Sequence, residues 1–288
     1  MNPPFSRVAI AGTGLIGGSF ALAARPALAG ARIVGWDKPD VLIEAQARGV
    51  IDEGHAALAD ALAGADLVYV ALPVGLTIER LPDIIRLAGP GALITDAAST
   101  KRAVCAAAEQ CRSTGARFLG GHPMAGNEGS GLAATDAALF QGAKYALIGD
   151  PEQRGTVDAR VQKFLNLLAE IGARPMWMDA ATHDRAVALI SHLPQLLSIA
   201  LASVAREATD QTGLPLTLAG RGLRDYFRLA GSPYAMWRDI VLTNTDNIDA
   251  ALEKLSQAIE HLRANLRQRE LESEFAAANE IYRILKNL

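Results

Sequence analysis

The stretch RVAIAGTGLIGGSFALAA, residues 7–24, decides the fold. It opens with a short apolar run, RVAIA (7–11), passes through Gly12-Thr13-Gly14-Leu15-Ile16-Gly17, and continues as a helical pattern over 15–24. A G-x-G-x-x-G between a strand and a helix serves a bound dinucleotide. Its first glycine makes the tight turn, its second leaves room for the pyrophosphate, and its third lets the helix pack on the strand. The helix N-terminus then offers amides and partial positive charge to the phosphates. No residue from Val8 to Ala24 is charged and Arg7 precedes the run, so a signal peptide or a short membrane helix is the rival reading. Gly12, Gly14, Gly17 and Gly18 weigh against it, because that glycine density disfavours a continuous helix.

Outward from this turn, strands and helices alternate. RIVGW (32–36), LVYVAL (67–72), ALITD (92–96), RFLG (117–120) and residues 145–148 read as strands, with helical stretches such as 74–87 and 101–113 between them. That alternation predicts an α/β, Rossmann-type, doubly wound parallel sheet over residues 1–150. Asp37 follows the second strand, 20 residues after Gly17. A carboxylate there accepts hydrogen bonds from the ribose hydroxyls of NAD and repels the 2′-phosphate of NADP, so NAD is the expected cofactor; adjacent Lys38 softens that repulsion. A solvated surface aspartate is the plain alternative. Leu72-Pro73 closes the 67–72 strand at the carboxyl edge of the sheet, where ligands bind in such folds.

The pattern changes near Asp150-Pro151. Residues 151–288 are expected to be an all-helical domain, with one short strand at 174–178 and a long helix over 183–205. Leu252, Leu255, Ile259, Leu262 and Leu266 form a 3-4-3-4 stripe, which is either a core face or a subunit interface.

Composition agrees with a globular enzyme-sized chain. Of 288 residues 50% are hydrophobic and 20% charged, with a net charge of −3, which excludes a disordered chain. No Lys/Arg run supplies a phosphate footprint, so nucleic acid is not an expected partner. Cys105 and Cys111 are the only cysteines. They are too few for a zinc cage or a disulfide framework, so no metal is expected and the expected compartment is a reducing, cytoplasmic one.

Two later strand ends carry polar clusters, Asp96-Ala97-Ala98-Ser99-Thr100-Lys101 and Gly121-His122-Pro123-Met124-Ala125-Gly126. A histidine between glycine and proline at a sheet's carboxyl edge suits a general base near neutral pH. The helical half adds Ser191-His192-Leu193-Pro194-Gln195, and Arg221, Arg224, Arg228 and Arg238 around Tyr226 and Trp237. Arginines at helical spacing suit a carboxylate-binding face, although salt-bridged surface arginines look the same.

From Arg7 to about Tyr282 the chain resembles the prephenate and arogenate dehydrogenases of tyrosine biosynthesis. The resemblance rests on GTGLIGGS (12–19), the strand ending at Asp37, ALPV (71–74), TDAASTK (95–101), GGHPMAGNEGSG (120–131), HDRAVALISHLP (183–194), RDYFRLAGSPYAMW (224–237) and Asn244. It implies His122 as the catalytic base for the ring hydroxyl, with Ser99 beside it. It implies His192 in the substrate pocket and Arg228 on a substrate carboxylate, with Lys101 and Asn244 as supporting pocket residues. Gly12, Gly14, Leu15, Ile16, Gly17, Asp37, Leu72 and Pro73 would hold the cofactor. It further implies NAD-dependent oxidative decarboxylation of prephenate, with arogenate as the alternative substrate, and a homodimer through the helical half. Many prephenate-using members read SHLPH where this chain has Gln195, near the substrate side chain; a neutral Gln is a poor partner for the ammonium of arogenate, so prephenate is favoured. No fused mutase or ACT domain is expected within these 288 residues. A β-hydroxyacid dehydrogenase would need a G-x-x-G-x-x-K pattern after residue 150, and none occurs. A non-catalytic NAD sensor would need no base such as His122.

Overall fold

The computed structural model describes residues 3–111, 115–126, 129–149, 158–267 and 271–287. The expected domain turn at Asp150-Pro151, Ser113 at the end of one predicted helix, and Asn127-Glu128 of the 120–131 motif lie outside the described residues.

Six parallel strands form the main sheet in the order β3-β2-β1-β4-β5-β6. They are β1 (Arg7–Ala11), β2 (Arg32–Trp36), β3 (Glu53–His55), β4 (Leu67–Val70), β5 (Leu93–Asp96) and β6 (Arg117–Leu119). The chain reverses direction of travel across the sheet between β1 and β4, the place where such folds open a ligand crevice at the strands' carboxyl ends. Both faces are covered, so the strands read as unbroken apolar runs. Val8, Ile10, Leu67 and Tyr69 face one core with Phe20 of α1 (Leu15–Ala24). Ala9, Ala11, Val68 and Val70 face the other, with Leu81 and Ile84 of α4 (Val74–Leu87) and Val104 of α5 (Arg102–Glu109). Phe20 stacks flat on Tyr69, ring centroids 3.9 Å apart.

Beyond β6 the parallel pattern ends. Gly120-Gly121 turns the chain into β7 (Gly121–Pro123), which pairs antiparallel with β8 (Lys144–Ile148); β8 pairs parallel with β9 (Arg174–Met178). These three make a second small sheet. The turn requires glycine at 121, where a Cβ would stand 2.7 Å from the Asp96 carbonyl oxygen. The helix α6 (Ala159–Glu170) buries Phe164, Leu167 and Leu168 in the same core as Phe20 and Tyr145. So α6 and β9, which a division at 150/151 assigns to the helical half, pack with the sheet half.

From Ala180 the chain is helical: α7 (Ala180–Val187), α8 (Leu193–Ala208), α9 (Arg221–Ala230), α10 (Tyr234–Thr243), α11 (Thr245–Ala264) and α12 (Leu271–Lys286). The helix predicted over 183–205 is interrupted. Residues Ala188–His192 form a wide π turn, closed by the Leu193 amide on the Ala188 carbonyl, just before Pro194. Proline has no N–H to give the preceding turn, and π turns recur at functional sites. By length and hydropathy the whole Ala180–Ala208 stretch could cross a membrane. The earlier rival, residues 8–24, is instead a buried strand, the glycine turn and α1.

Candidate active site

The glycine turn has the shape a dinucleotide needs. Gly12 has φ +91°, and a Cβ there would sit 2.4 Å from the Ala71 carbonyl oxygen after β4. A Cβ on Gly17 would come within 1.9 Å of the Gly12 carbonyl oxygen, so helix and turn touch backbone to backbone. A Cβ on Gly14 would meet only Gly131, at 3.8 Å, which leaves space in front of the amides of Leu15 and Ile16 at the α1 N-terminus. No side chain caps that helix end. A phosphate fits this cradle, with orphan amides to bind it and no Cβ in its way.

Asp37 is half-buried at the carboxyl end of β2. Its Oδ2 accepts from the Thr13 amide (2.7 Å) and Thr13 Oγ1 (3.0 Å), and its Oδ1 accepts from the Lys38 amide (2.8 Å). A carboxylate has about four acceptor positions, so one remains on Oδ1 for a ribose hydroxyl. Leu72 and Pro73 lie between β4 and α4, with Leu72 half-buried and Pro73 exposed.

Ser99 is half-buried on the turn between β5 and α5, and His122 is the middle residue of β7. Their backbones are tied at the root. Lys101 is fully buried, its Nζ bonded to Asp96 Oδ2 and, at 2.6 Å, to the Gly121 carbonyl; the Gly121 amide donates to Asp96 Oδ1 (3.1 Å). The structure therefore places Lys101 in a buried ion pair beneath the site, not on the pocket wall.

His122 Nδ1 lies 2.9 Å from His183 Nε2, and His183 Nδ1 lies 2.8 Å from Asp184 Oδ1. Burial pushes the His122 pKa well below the usual 6.5, and the neighbouring His183, Lys101 and His192 push the same way. His122 is thus a neutral imidazole at neutral pH. Burial alone would raise the Asp184 carboxyl, but hydrogen bonds from His183 and the amides of Arg102 and Lys101 outweigh it and keep the group below its ordinary value.

His192 ends the π turn and is buried against Trp237, ring centroids 5.8 Å apart and nearly perpendicular. Asn244 Nδ2 donates to the Asp184 carbonyl (2.8 Å) and reaches His192 Nδ1 at 3.2 Å, while its Oδ1 accepts from Asn247 Nδ2 (2.8 Å). That arrangement makes His192 Nδ1 the acceptor and leaves Nε2–H as a donor. Burial lowers the His192 pKa to about 4.

Gln195 stands one helical turn after His192. It is buried, and its Nε2 donates to the Leu229 carbonyl (2.9 Å) at the end of α9. Ser198 Oγ donates to the Tyr226 carbonyl (2.5 Å) and accepts from the Ala230 amide (3.1 Å). Both residues act as struts that hold α9, which carries exposed Arg228, against the His192 helix. Arg238 is engaged by Asp239, whose Oδ2 also accepts from the Gly75 amide (3.1 Å).

Sequence reasoning missed His183 and Asp184 as site residues. They open the 183–194 motif, but their partner His122 lies 61 residues earlier in the chain.

The chain is similar to known proteins. Residues 20–176 match the family model for the prephenate dehydrogenase nucleotide-binding domain, and residues 179–285 that for its dimerization domain. The chain is 36% identical to the prephenate dehydrogenase of Bacillus subtilis, over 96% of this chain and 74% of that protein. Its fold is similar to that of the Aquifex aeolicus prephenate dehydrogenase solved with hydroxyphenyl propionate and NAD+, with a TM-score of 0.84 and 28% identity over 98% and 97% of the two chains. Synechocystis arogenate dehydrogenase is similar too, with a TM-score of 0.78 and 29% identity over 97% and 99%. The chain belongs to the prephenate and arogenate dehydrogenase family.

Proposed function

We propose that the chain catalyses NAD-dependent oxidative decarboxylation of prephenate to 4-hydroxyphenylpyruvate. The observation that carries this reading is His122: a half-buried histidine held neutral beside the Ser99 turn, at the carboxyl edge of a dinucleotide-binding sheet. Gly12, Gly14 and Gly17, with the first amides of α1 at Leu15 and Ile16, take the pyrophosphate, Asp37 takes a ribose hydroxyl, and Leu72 and Pro73 border the cofactor. NAD held there would supply the acceptor for a hydride from ring C4. His122 takes the proton of the C4 hydroxyl, and Ser99 hydrogen-bonds beside it. The ring carboxylate leaves as CO₂, its bonding electrons complete the aromatic ring, and the resulting phenolate takes the proton back from His122. His192 Nε2–H is a neutral donor to the substrate, and Arg228 pairs with a substrate carboxylate. Asn244 holds His192 in that tautomer. A positioned base of this kind is worth about 10²–10⁴ in rate, and the fixed substrate geometry supplies much of the rest.

Arogenate is the second reading, supported by the likeness to Synechocystis arogenate dehydrogenase. Gln195 is neutral and offers no charge to the ammonium of arogenate, which favours prephenate; its Nε2 donates to the Leu229 carbonyl. The chain acts in the cytoplasm, supported by two free cysteines, Cys105 and Cys111. It works as a homodimer through the helical half, supported by the match to the dimerization-domain model and by apolar side chains left open there.

The test is NADH formation at 340 nm with prephenate and with arogenate, each with NAD and NADP. Prephenate with NAD is expected to give the highest kcat/KM; absence of NADH with either substrate would end this reading. In the same assay His122→Asn is expected to lose about 10²–10⁴ in kcat, with substrate affinity kept within a few-fold. Full turnover in that variant would remove His122 from its role.

A further inference from the structure

We propose that His183 and Asp184 are positioning residues that fix His122 in its Nδ1–H tautomer and so present Nε2 as the proton-accepting atom. The proposal rests on the reading of His122 as the base.

The direction follows from the far end of the chain of contacts. Asp184 is fully buried, and its carboxylate accepts from three sides, the amides of Lys101 (2.7 Å) and Arg102 (2.9 Å) and the His183 ring (2.8 Å), with the Arg102 guanidinium paired by charge 3.4 Å away. Two amides and a guanidinium hold it ionised, and an ionised carboxylate can only accept. The proton on that side of His183 is therefore on Nδ1. A neutral His183 then has its lone pair on Nε2, facing His122 Nδ1 at 2.9 Å. That lone pair must be met by an N–H, so His122 carries its proton on Nδ1 and its lone pair on Nε2. The second ring nitrogen of a functional histidine is commonly set this way by a buried acceptor.

The other charged groups around the pair are already engaged. The Lys101 ammonium is bonded to the carbonyl of Gly121, next to His122, and pairs with Asp96. The Arg102 guanidinium shares Asp184 and is neutralised further by Asp246. Buried His192 is the remaining titratable neighbour. A cationic His183 would also donate from Nε2, turning His122 around so that its lone pair points at His183 and away from any substrate. When His122 takes a proton, its Nδ1–H strengthens its bond to His183, and the Asp184 charge faces the new imidazolium across one ring.

The base and its orienting pair come from different parts of the chain. His122 lies within the nucleotide-binding match and His183-Asp184 within the dimerization match. The Asp184 carboxylate is also what receives the first amides of α5, so docking α7 on α5 and orienting the base are one event.

Glutamine and asparagine separate this role from a packing role. The terminal amide of Gln reaches the position of a histidine Nε2, whereas that of Asn reaches only Nδ1. His183→Gln can therefore still accept from His122 and is expected to keep kcat within about five-fold. His183→Asn, which can reach Asp184 alone, is expected to lose about 10²-fold in kcat, with KM for substrate and cofactor within about two-fold. Equal kcat in the two variants, or losses confined to KM, would overturn the proposal. A second measurement needs neither a variant nor turnover. In ¹⁵N-histidine-labelled wild-type protein, His122 is expected to show a protonated Nδ1 and an unprotonated Nε2 at pH 7.5. The opposite tautomer would overturn the proposal, whatever the enzyme's substrate proves to be.

Discussion

The two halves of the molecule bury their apolar residues to different degrees. In the sheet half, β1, β4 and β5 are buried on both faces, and their side chains divide between two closed cores. In the helical half, α9 and α12 bury no residue at all, and α11 buries only Ile248 and Ala251. Phe275, Ile281, Tyr282 and Leu285 on α12 are each more than half exposed, as are Leu189, Ile190 and Val204 around α8. Apolar surface on this scale is not left to water. The first half is closed by its own chain; the second leaves apolar side chains open, as the proposed homodimer requires. The apolar run of Ala180–Ala208 shows the same split, with Leu189, Ile190 and Val204 exposed and His183, Asp184 and His192 buried.

That contrast can be broken most directly at α12. Replacing Phe275 and Ile281 together by Glu is expected to shift the protein from dimer to monomer in sedimentation at micromolar concentration, weakening association at least 10³-fold, about 4 kcal/mol. The sheet half should keep its dinucleotide affinity. A variant that remains dimeric would place the interface elsewhere. On a truly solvated helix such changes cost within about 0.5 kcal/mol.

A smaller effect is expected at the seam between the halves. His192 in the folded chain takes its proton only near pH 4, while the unfolded chain takes one near 6.5. The unfolded state therefore binds more protons in that window. Stability is full above pH 6.5 and falls as pH drops toward 4, by at most about 3 kcal/mol from this residue. His122 contributes in the same direction. The slope of Tm against pH between 6.5 and 4 should be flatter in His192→Asn than in the wild type. Parallel slopes would mean that His192 charges without cost in the folded protein.

The smallest effect belongs to the sheet half alone. Asp37→Ser removes the carboxylate facing the ribose and is expected to shift the NAD/NADP ratio of kcat/KM toward NADP by about ten-fold, about 1.4 kcal/mol, with no change in oligomeric state. An unchanged ratio would mean that Asp37 serves mainly to brace Thr13.

The sheet half was legible because each signal is local. An apolar run such as LVYV has one explanation when both faces are covered, and Gly12 and Gly17 each relieve a specific backbone clash. The site was legible in part. His122, His192 and Asn244 could be picked out by residue type and motif, but residue type does not say which way a side chain turns. Lys101 points under the sheet edge and Gln195 into α9, and both look like pocket residues on paper. His183 and Asp184 were hidden for another reason. Their role exists only once α7 docks on α5, a contact between residues 83 positions apart. The strand turn at Gly120-Gly121 and the break in the 183–205 helix went unread because each depends on what packs beside it.

The break at Ala188–His192 has a consequence in helical phase. Nine residues separate His183 from His192, and at about 100° per residue an unbroken α-helix would point them to opposite sides, about 180° apart. The wide turn absorbs one extra residue, and so takes back about 100° of that rotation. Both rings can then look toward the same side of the helix, His183 to His122 and His192 to Asn244 and Trp237. One surplus residue acts as a rotational offset, and deleting it would keep the helix while swinging His192 out of register with its partners.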